Sequence, residues 1–373
     1  MGPKLFIGLM SGTSMDGVDA VLAHFTDKPQ VLARASHVLP ADLRQELLAL
    51  NQAGHNELHR AALASNALAT IYARTVADLL SQAQSMGLSR SEITAIGAHG
   101  QTVRHQPQTH GGSGYTLQLH NPALLAELTG LDVVADFRNA DLAAGGQGAP
   151  LVPGFHAALW ARPDADIAVL NIGGISNLTL LPAQDVVRGW DCGPGNALLD
   201  YWCQLHTGQP YDNHGHWASG GKVQEALLAQ LLDEPFFQLS PPRSTGRDLF
   251  NADWLQNRLG AQPCAPVDVQ ATLTRLTAEV CARDLKKHLP TARELLVCGG
   301  GALNRELMRL LQAALPSVRV LATDERGLPA LEVEATAFAW LAKCWFERQP
   351  GNRVEVTGAR GLRVLGALYP ASR

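Results

Sequence analysis

Three stretches of alternating or β-branched apolar residues open the chain. Lys4–Met10, Val18–Phe25 and Gln30–Val38, with the turn-rich Ser11–Gly17 between the first two, predict three strands of one sheet. Ala41–Leu50 and Glu57–Met86 then place apolar residues at i, i+3 and i+4 among many alanines, which predicts two helices. Short strands are expected at Ile93–Ala98, Tyr115–Leu119 and Leu131–Ala135, with a glycine-rich loop at Thr109–Gly114 and a helix starting near Pro122. A second cycle begins at Asp166–Asn171, turns at Gly173-Gly174, and continues through Ile175–Leu181 and Val186–Trp190. Helices are expected at Asn196–His206, Lys222–Leu232 and Val267–His288, then a strand at Glu294–Val297 and helices at Leu303–Leu315 and Leu331–Trp345. This alternation is that of an α/β fold. The repeated strand, glycine turn and strand point to a duplicated two-lobed fold, not a short-period solenoid.

Composition narrows the function classes. A chain of 373 residues, 46% of them hydrophobic, exceeds the roughly 250–300 residues at which a single core stops growing, so two domains are expected. A formal charge of −4 and the lack of a Lys/Arg block argue against nucleic acid as a partner. No apolar run approaches the roughly 18 residues that span a bilayer, and the opening lacks the pattern of a secretory signal, so no membrane contact and a cytoplasmic location are expected. The six cysteines are widely spaced with no Cys-x-x-Cys, which predicts free thiols in a reducing compartment. His55/His59 and His214/His216 have no carboxylate in a metalloenzyme pattern, so no protein-held metal is expected.

Candidate chemistry gathers in three glycine clusters, each following a strand: Gly8–Gly17, Asn171–Asn177, and Cys298–Asn304. Glycines let main-chain N–H groups approach phosphate oxygens, and Ser and Thr hydroxyls add donors. The third cluster opens a helix, whose N-terminus favours an anion. Any one of them alone reads equally well as a tight turn. None fits the P-loop or the Rossmann fingerprint. Asp16 and Asp19 flank the first loop, and Asp191 ends another strand in Gly189-Trp-Asp-Cys-Gly-Pro-Gly-Asn196. Carboxylates so placed suit a kinase, which must accommodate magnesium and activate an acceptor; Asp191 also suits helix capping.

Taken in order, the clusters resemble the phosphate-1, phosphate-2 and adenosine motifs of the hexokinase–actin–chaperone ATPase superfamily. The segment Gly8-Leu-Met-Ser-Gly-Thr-Ser-Met-Asp-Gly-Val-Asp19 resembles the opening signature of the anhydro-N-acetylmuramic acid kinase family. The resemblance continues through Gly97–Thr102, Asp136–Arg138, Ala143–Pro150, Gly193–Asn196, Ser244–Arg247, Ala271–Thr274, the Gly299 triplet, Glu334-Ala335 and Val356–Gly358. Two positions depart from it: Cys192 stands where Thr is expected, and Asp248 where Glu is usual.

The resemblance implies a two-lobed hexokinase/actin-like fold of duplicated ribonuclease H-like halves around a nucleotide cleft. Domain I would comprise 1–134 and 351–373 with the phosphate-1 loop; domain II would comprise 135–350 with the phosphate-2 and adenosine motifs and the catalytic Asp. It implies Asp191 as catalytic base, and a nucleotide site of Gly12, Thr13, Ser14, Met15, Asp16, Gly17, Val18, Asp19, Asn171, Gly173, Gly174, Asn177, Gly299, Gly300, Gly301 and Asn304. Arg138, Glu334, His99 and Gln101 would bind the sugar. It further implies ATP with Mg2+, a small amino-sugar substrate from peptidoglycan recycling, and a homodimer. Two alternatives stay open: an ordinary sugar kinase with a free-hydroxyl acceptor, and a non-catalytic ATP-gated scaffold of the actin or chaperone kind.

Overall fold

The structure, a computed structural model, describes residues 4–12, 15–26, 29–107, 114–247, 249–260 and 264–372. It divides into two compact units, 1–159 with 332–373, and 160–331. The first is built on strands β1 (Leu5–Met10), β2 (Gly17–Phe25), β3 (Pro29–Val38) and β4 (Ile93–Ala98), a hairpin of β5 (Gln101–Gln106) and β6 (Tyr115–Leu119), and β7 (Val133–Ala135). The second carries β8 (Ile167–Ile172), β9 (Ile175–Leu181), β10 (Arg188–Pro194), β11 (Glu294–Cys298) and β12 (Arg319–Ala322); β13 (Ala367–Tyr369) returns to the first.

The main sheets repeat one topology. The first runs β13-β7-β4-β1-β2-β3 and the second β10-β9-β8-β11-β12. In each, an antiparallel meander (β1-β2-β3, β8-β9-β10) is extended on its first strand by two parallel strands (β4 and β7, β11 and β12). This is the duplicated ribonuclease H-like arrangement, and the internal repeat predicted from the two strand cycles is present as matching sheet order.

Alternation along β1 explains how the first sheet is covered. Leu5, Ile7 and Leu9 point to one face, where Leu68, Ile71, Tyr72, Val76 and Leu79 of the helix Glu57–Ser85 cover them. Phe6 points to the other, against Phe338, Ala339 and Ala342 of the helix Val333–Phe346. A Cβ on Gly8 would lie 1.8 Å from the Ala335 carbonyl, and one on Gly97 2.1 Å from the Phe338 carbonyl. Glycine at these two points lets the helix backbone rest on β1 and β4. This packing corrects the expected domain limits: residues 135–159 and 332–350 belong with the first unit, because the late helix supplies half of that sheet's cover.

In the second unit the helix Pro266–His288 contributes Val269, Leu273, Leu276, Val280 and Leu285 to a core shared with Leu170, Leu178, Leu180 and Trp190 of the sheet. All six cysteines are free, and five of them are buried. Among the described residues no helix is long and apolar enough to cross a membrane, and no group of three His, Cys, Asp or Glu side chains is arranged to hold a metal ion.

Candidate active site

The expected site residues of the second unit converge at one end of its sheet. The β8–β9 turn carries Gly173 and Gly174, and their carbonyls accept from the main chain of the segment after Asp191: Asn196 N–H to Gly173 at 2.8 Å, and Gly195 N–H to Gly174 at 2.9 Å. Asn196 Nδ2 also donates to the Ile172 carbonyl at 3.1 Å. The third cluster stacks on the same turn. Gly299 has φ +77°, and a Cβ there would lie 2.6 Å from Asn171 Oδ1; a Cβ on Gly301 would lie 2.4 Å from the Ile172 side chain. Glycine is therefore required at both for the two loops to close on one another. Asn171 is buried and accepts from Cys298 Sγ, while Asn304 caps the helix Arg305–Ala314 by accepting from Leu307 N–H at 3.0 Å. Capping accounts for Asn304's carboxamide oxygen without a ligand.

Asp191 sits in β10 opposite Asn177, next to a register shift between Asp191 and Gly193. Its Oδ2 accepts from Thr245 N–H at 2.9 Å, and its main chain exchanges hydrogen bonds with Arg243: Asp191 N–H to the Arg243 carbonyl at 3.1 Å, and Arg243 Nε to the Asp191 carbonyl at 3.1 Å. Asp191 thus lies within β10 and does not cap the helix Asn196–Thr207, whose N-cap is Gly195. Cys192 is fully buried between Trp190 and Cys281, and burial first, then Cys281, pushes its thiol well above the ordinary range. A hydroxyl at this position would face the core, so the departure from Thr leaves the Asp191 carboxylate untouched. Asp248 lies outside the described residues.

The first unit brings together a second group. Gln101 Nε2 donates to the Gly12 carbonyl at 3.1 Å, tying β5 to the first glycine loop. Met15, at φ +53°, and Val18 turn their side chains into the core, so only their main chain is available to a ligand. Thr13 and Ser14 lie outside the described residues. A Cβ on Gly17 would meet the His37 carbonyl at 2.8 Å, which fixes the first residue of β2 as a close main-chain approach. Asp16 and Asp19 reach the surface at the loop's end, with the Asp19 carboxyl partly enclosed by its neighbours. The protein packed around Asp19, and the negative charge of Asp16, lift the Asp19 carboxyl to about 6.

Arg138 donates from Nε and Nη2 to His99 Nε2 at 3.1 and 2.8 Å, and from Nη1 to the Gly148 carbonyl at 2.8 Å. Guanidinium can only donate, so His99 Nε2 is the unprotonated nitrogen and Nδ1 carries the proton. Burial, with the Arg138 charge, holds His99 well below the ordinary range; it is a neutral orienting group. The His99 ring lies 4.7 Å from that of Phe338, one helical turn after Glu334, so the late helix sets Glu334 on the His99 side of the unit.

Sequence reasoning missed three residues that hold this machinery. Asp141 is fully buried and accepts from Gly148 N–H (2.8 Å), Asn352 Nδ2 (2.7 Å) and Thr357 Oγ1 (2.8 Å), organising the loop whose Gly148 carbonyl fixes Arg138. Arg243 and Asp284 form a buried ion pair behind Asp191. A signal existed for Asp284: it falls on the apolar stripe of its helix, four residues after Val280 and one before Leu285.

A family model described as "Anhydro-N-acetylmuramic acid kinase" matches residues 4–371. The chain is 60% identical to the protein of that name from Variovorax paradoxus, over the full length of both. It is 56% identical to the one from Albidiferax ferrireducens, covering 98% of this chain and 99% of the relative, and 59% identical to the one from Bordetella petrii, covering 99% and 97%. Among solved structures it is similar to an activator of 2-hydroxyisocaproyl-CoA dehydratase from Clostridium difficile (TM-score 0.44, 13% identity, 92% of this chain and 97% of the other). A second is a ROK family glucokinase from Streptomyces griseus (TM-score 0.40, 14% identity, 91% and 99%).

Proposed function

Because the chain belongs to the anhydro-N-acetylmuramic acid kinase family, we propose that it opens the 1,6-anhydro ring of anhydro-N-acetylmuramic acid with water and phosphorylates O6 from ATP, with Asp191 as the base. In such a sugar O6 is locked in the internal acetal, so no free hydroxyl is available to an ordinary kinase. Asp191 takes a proton from water as its oxygen bonds to C1; the C1–O6 bond breaks, O6 bonds to the γ-phosphorus, and ADP departs. The water-activating half of an inverting glycosidase is thereby joined to in-line phosphoryl transfer. The observation that carries the reading is the hold on Asp191: its Oδ2 is pinned by Thr245 N–H, in a strand whose end is bonded to the Gly173-Gly174 turn.

The glycine loops at Gly12–Asp19, Asn171–Asn177 and Gly299–Asn304 bind the nucleotide in this reading, Met15 and Val18 through their main chain and Asn304 chiefly by capping its helix. Arg138, oriented by His99 and Gly148, meets the sugar's lactyl carboxylate, with Glu334 and Gln101 as further sugar contacts. Mg2+ bound with the nucleotide would neutralise phosphate charge; Asp16 and Asp19 would suit it, since burial first and the neighbouring Asp16 charge second disfavour an ionised Asp19, and a cation would restore it. Product release of N-acetylmuramic acid 6-phosphate in a cytoplasmic peptidoglycan-recycling route, by a homodimer, completes the proposal.

Incubation with ATP in 18O-labelled water tests it, with the anhydro sugar and N-acetylmuramic acid compared as substrates. We expect turnover of the anhydro sugar, with label at C1 and none in the phosphate. Label in the phosphate would mean that water attacks the γ-phosphorus and not C1, which would overturn the ring-opening step; preference for the free-hydroxyl sugar, with no label at C1, would favour an ordinary kinase instead.

A further inference from the structure

Behind Asp191 lies an ion pair that the chemistry above does not use. Arg243 and Asp284 have side chains only 5% and 9% exposed and meet through Nη2 and Oδ2. Such a pair is a weak source of stability, because removing both charges from water offsets most of their attraction. Its geometry is more informative. Arg243 Nε donates to the Asp191 carbonyl at 3.1 Å, Nη1 donates to the Leu239 carbonyl at 2.7 Å, and the guanidinium lies 5.1 Å from the centre of the Phe236 ring. Asp284 Oδ2 also accepts from Trp190 Nε1 at 2.9 Å. The pair therefore grips the side chain of the residue before the base and the main chain of the base itself. Two residues beyond Arg243, Thr245 N–H holds the carboxylate. The helix that supplies Asp284 braces the far end of β10 as well, through Thr277 Oγ1 to the Pro194 carbonyl at 3.1 Å.

We propose that Arg243 and Asp284 are positioning residues that clamp the 243–245 segment to β10 and so hold the Asp191 carboxylate in one orientation for the attacking water. The inference rests on the reading of Asp191 as the base. Arginine suits the task because its planar fork serves three partners at once, which an ammonium cannot do in the same geometry. A displacement of the base by about 1 Å is enough to cost on the order of 100-fold in rate.

Arg243→Lys keeps the charge but has no Nε–H to return to the Asp191 carbonyl. We expect kcat to fall about 10- to 100-fold while KM for ATP stays within about twofold. On an Asp191→Asn background the same change should cost nothing further, since the clamp acts only through the base. Asp284→Asn is the second variant: its carboxamide oxygen can still accept from Trp190 Nε1 while the ion pair with Arg243 is lost, so the protein, shown folded by its thermal melt, should still show the kcat loss. A folded pair of variants with wild-type kcat, or losses that multiply with Asp191→Asn, would overturn the clamp while leaving the base in place. Asp191→Asn turning over at a near-normal rate by itself would instead remove the base, and the clamp with it.

Discussion

At the scale of single residues, the proposed chemistry depends on one proton acceptor. Asp191→Asn preserves shape and still offers an oxygen to Thr245 N–H, yet cannot take the proton from water. We expect kcat to fall about 10²–10⁴-fold with ATP affinity nearly unchanged, as read by steady-state kinetics beside calorimetric titration of the nucleotide. A parallel loss of ATP affinity would place Asp191 in nucleotide binding instead. This residue was legible because its neighbours Gly189 to Asn196 form a recognisable segment. Its supports were not. Arg243 and Asp284 are 41 residues apart, and Asp141 bonds to Asn352 and Thr357 across 211 and 216 residues. A buried charge is defined by such a partner, and nothing in a local stretch of sequence names it. Met15 and Val18 show the converse: they sit inside a matching loop, yet alternation along β2 and a left-handed turn send their side chains to the core.

At the scale of elements, glycines divide into those that shape loops and those that let elements touch. Gly8 begins the first glycine cluster in sequence, but its place is in β1 beneath the helix Val333–Phe346. A methyl group there would meet the Ala335 carbonyl at 1.8 Å and the Ala339 nitrogen at 2.7 Å, both main-chain atoms that can move only with the helix. Gly8→Ala should therefore destabilise the fold by on the order of 3 kcal/mol, the upper range for overpacking, seen as a lower thermal midpoint. A midpoint equal to the wild type would mean that the helix shifts freely. The same contact explains which elements could be read in advance. Long periodic segments, such as Glu57–Ser85 and Pro266–His288, and alternating strands, such as β4 and β9, emerged within a residue or two of their ends. The strand β5 did not, since Gln-Thr-Val-Arg-His-Gln is mostly polar and gains its place by pairing with β6. The four-residue β12 and the helix Ala252–Leu259 were too short to show a period. Assignment of the late helix to the first unit was beyond sequence altogether, because it is decided by packing against β1 and β4, strands that lie far earlier in the chain.

At the scale of the whole molecule, two units share one sheet order but differ in their histidines: among the described residues burial lowers four in the first unit and only His288 in the second. The first contains His99, His105, His120 and His156, all of which burial holds neutral: His105 and His120 down to about 4, His156 to about 3, and His99 well below the ordinary value, with Arg138 adding to the effect at His99 and His105. The sign follows from proton binding. Unfolded, each imidazole takes up a proton near pH 6.5; folded, it does so only at much lower pH, so the unfolded state binds more protons between those limits and stability rises with pH there. Their destabilising effect is absent above about pH 6.5 and grows by roughly 1.4 kcal/mol per histidine for each pH unit below it, until the folded values near 4 and 3 are reached. Acidification from pH 7 to 5 should accordingly loosen the first unit before the second, with amide exchange accelerating first in β1, β4 and the helix Glu57–Ser85. His156→Phe, which fills the same buried space without a titrating group, should make the melting midpoint less dependent on pH over this range. Exchange that accelerates first in β8 and β11, or a His156→Phe protein with an unchanged pH dependence, would show that acid sensitivity comes from other groups.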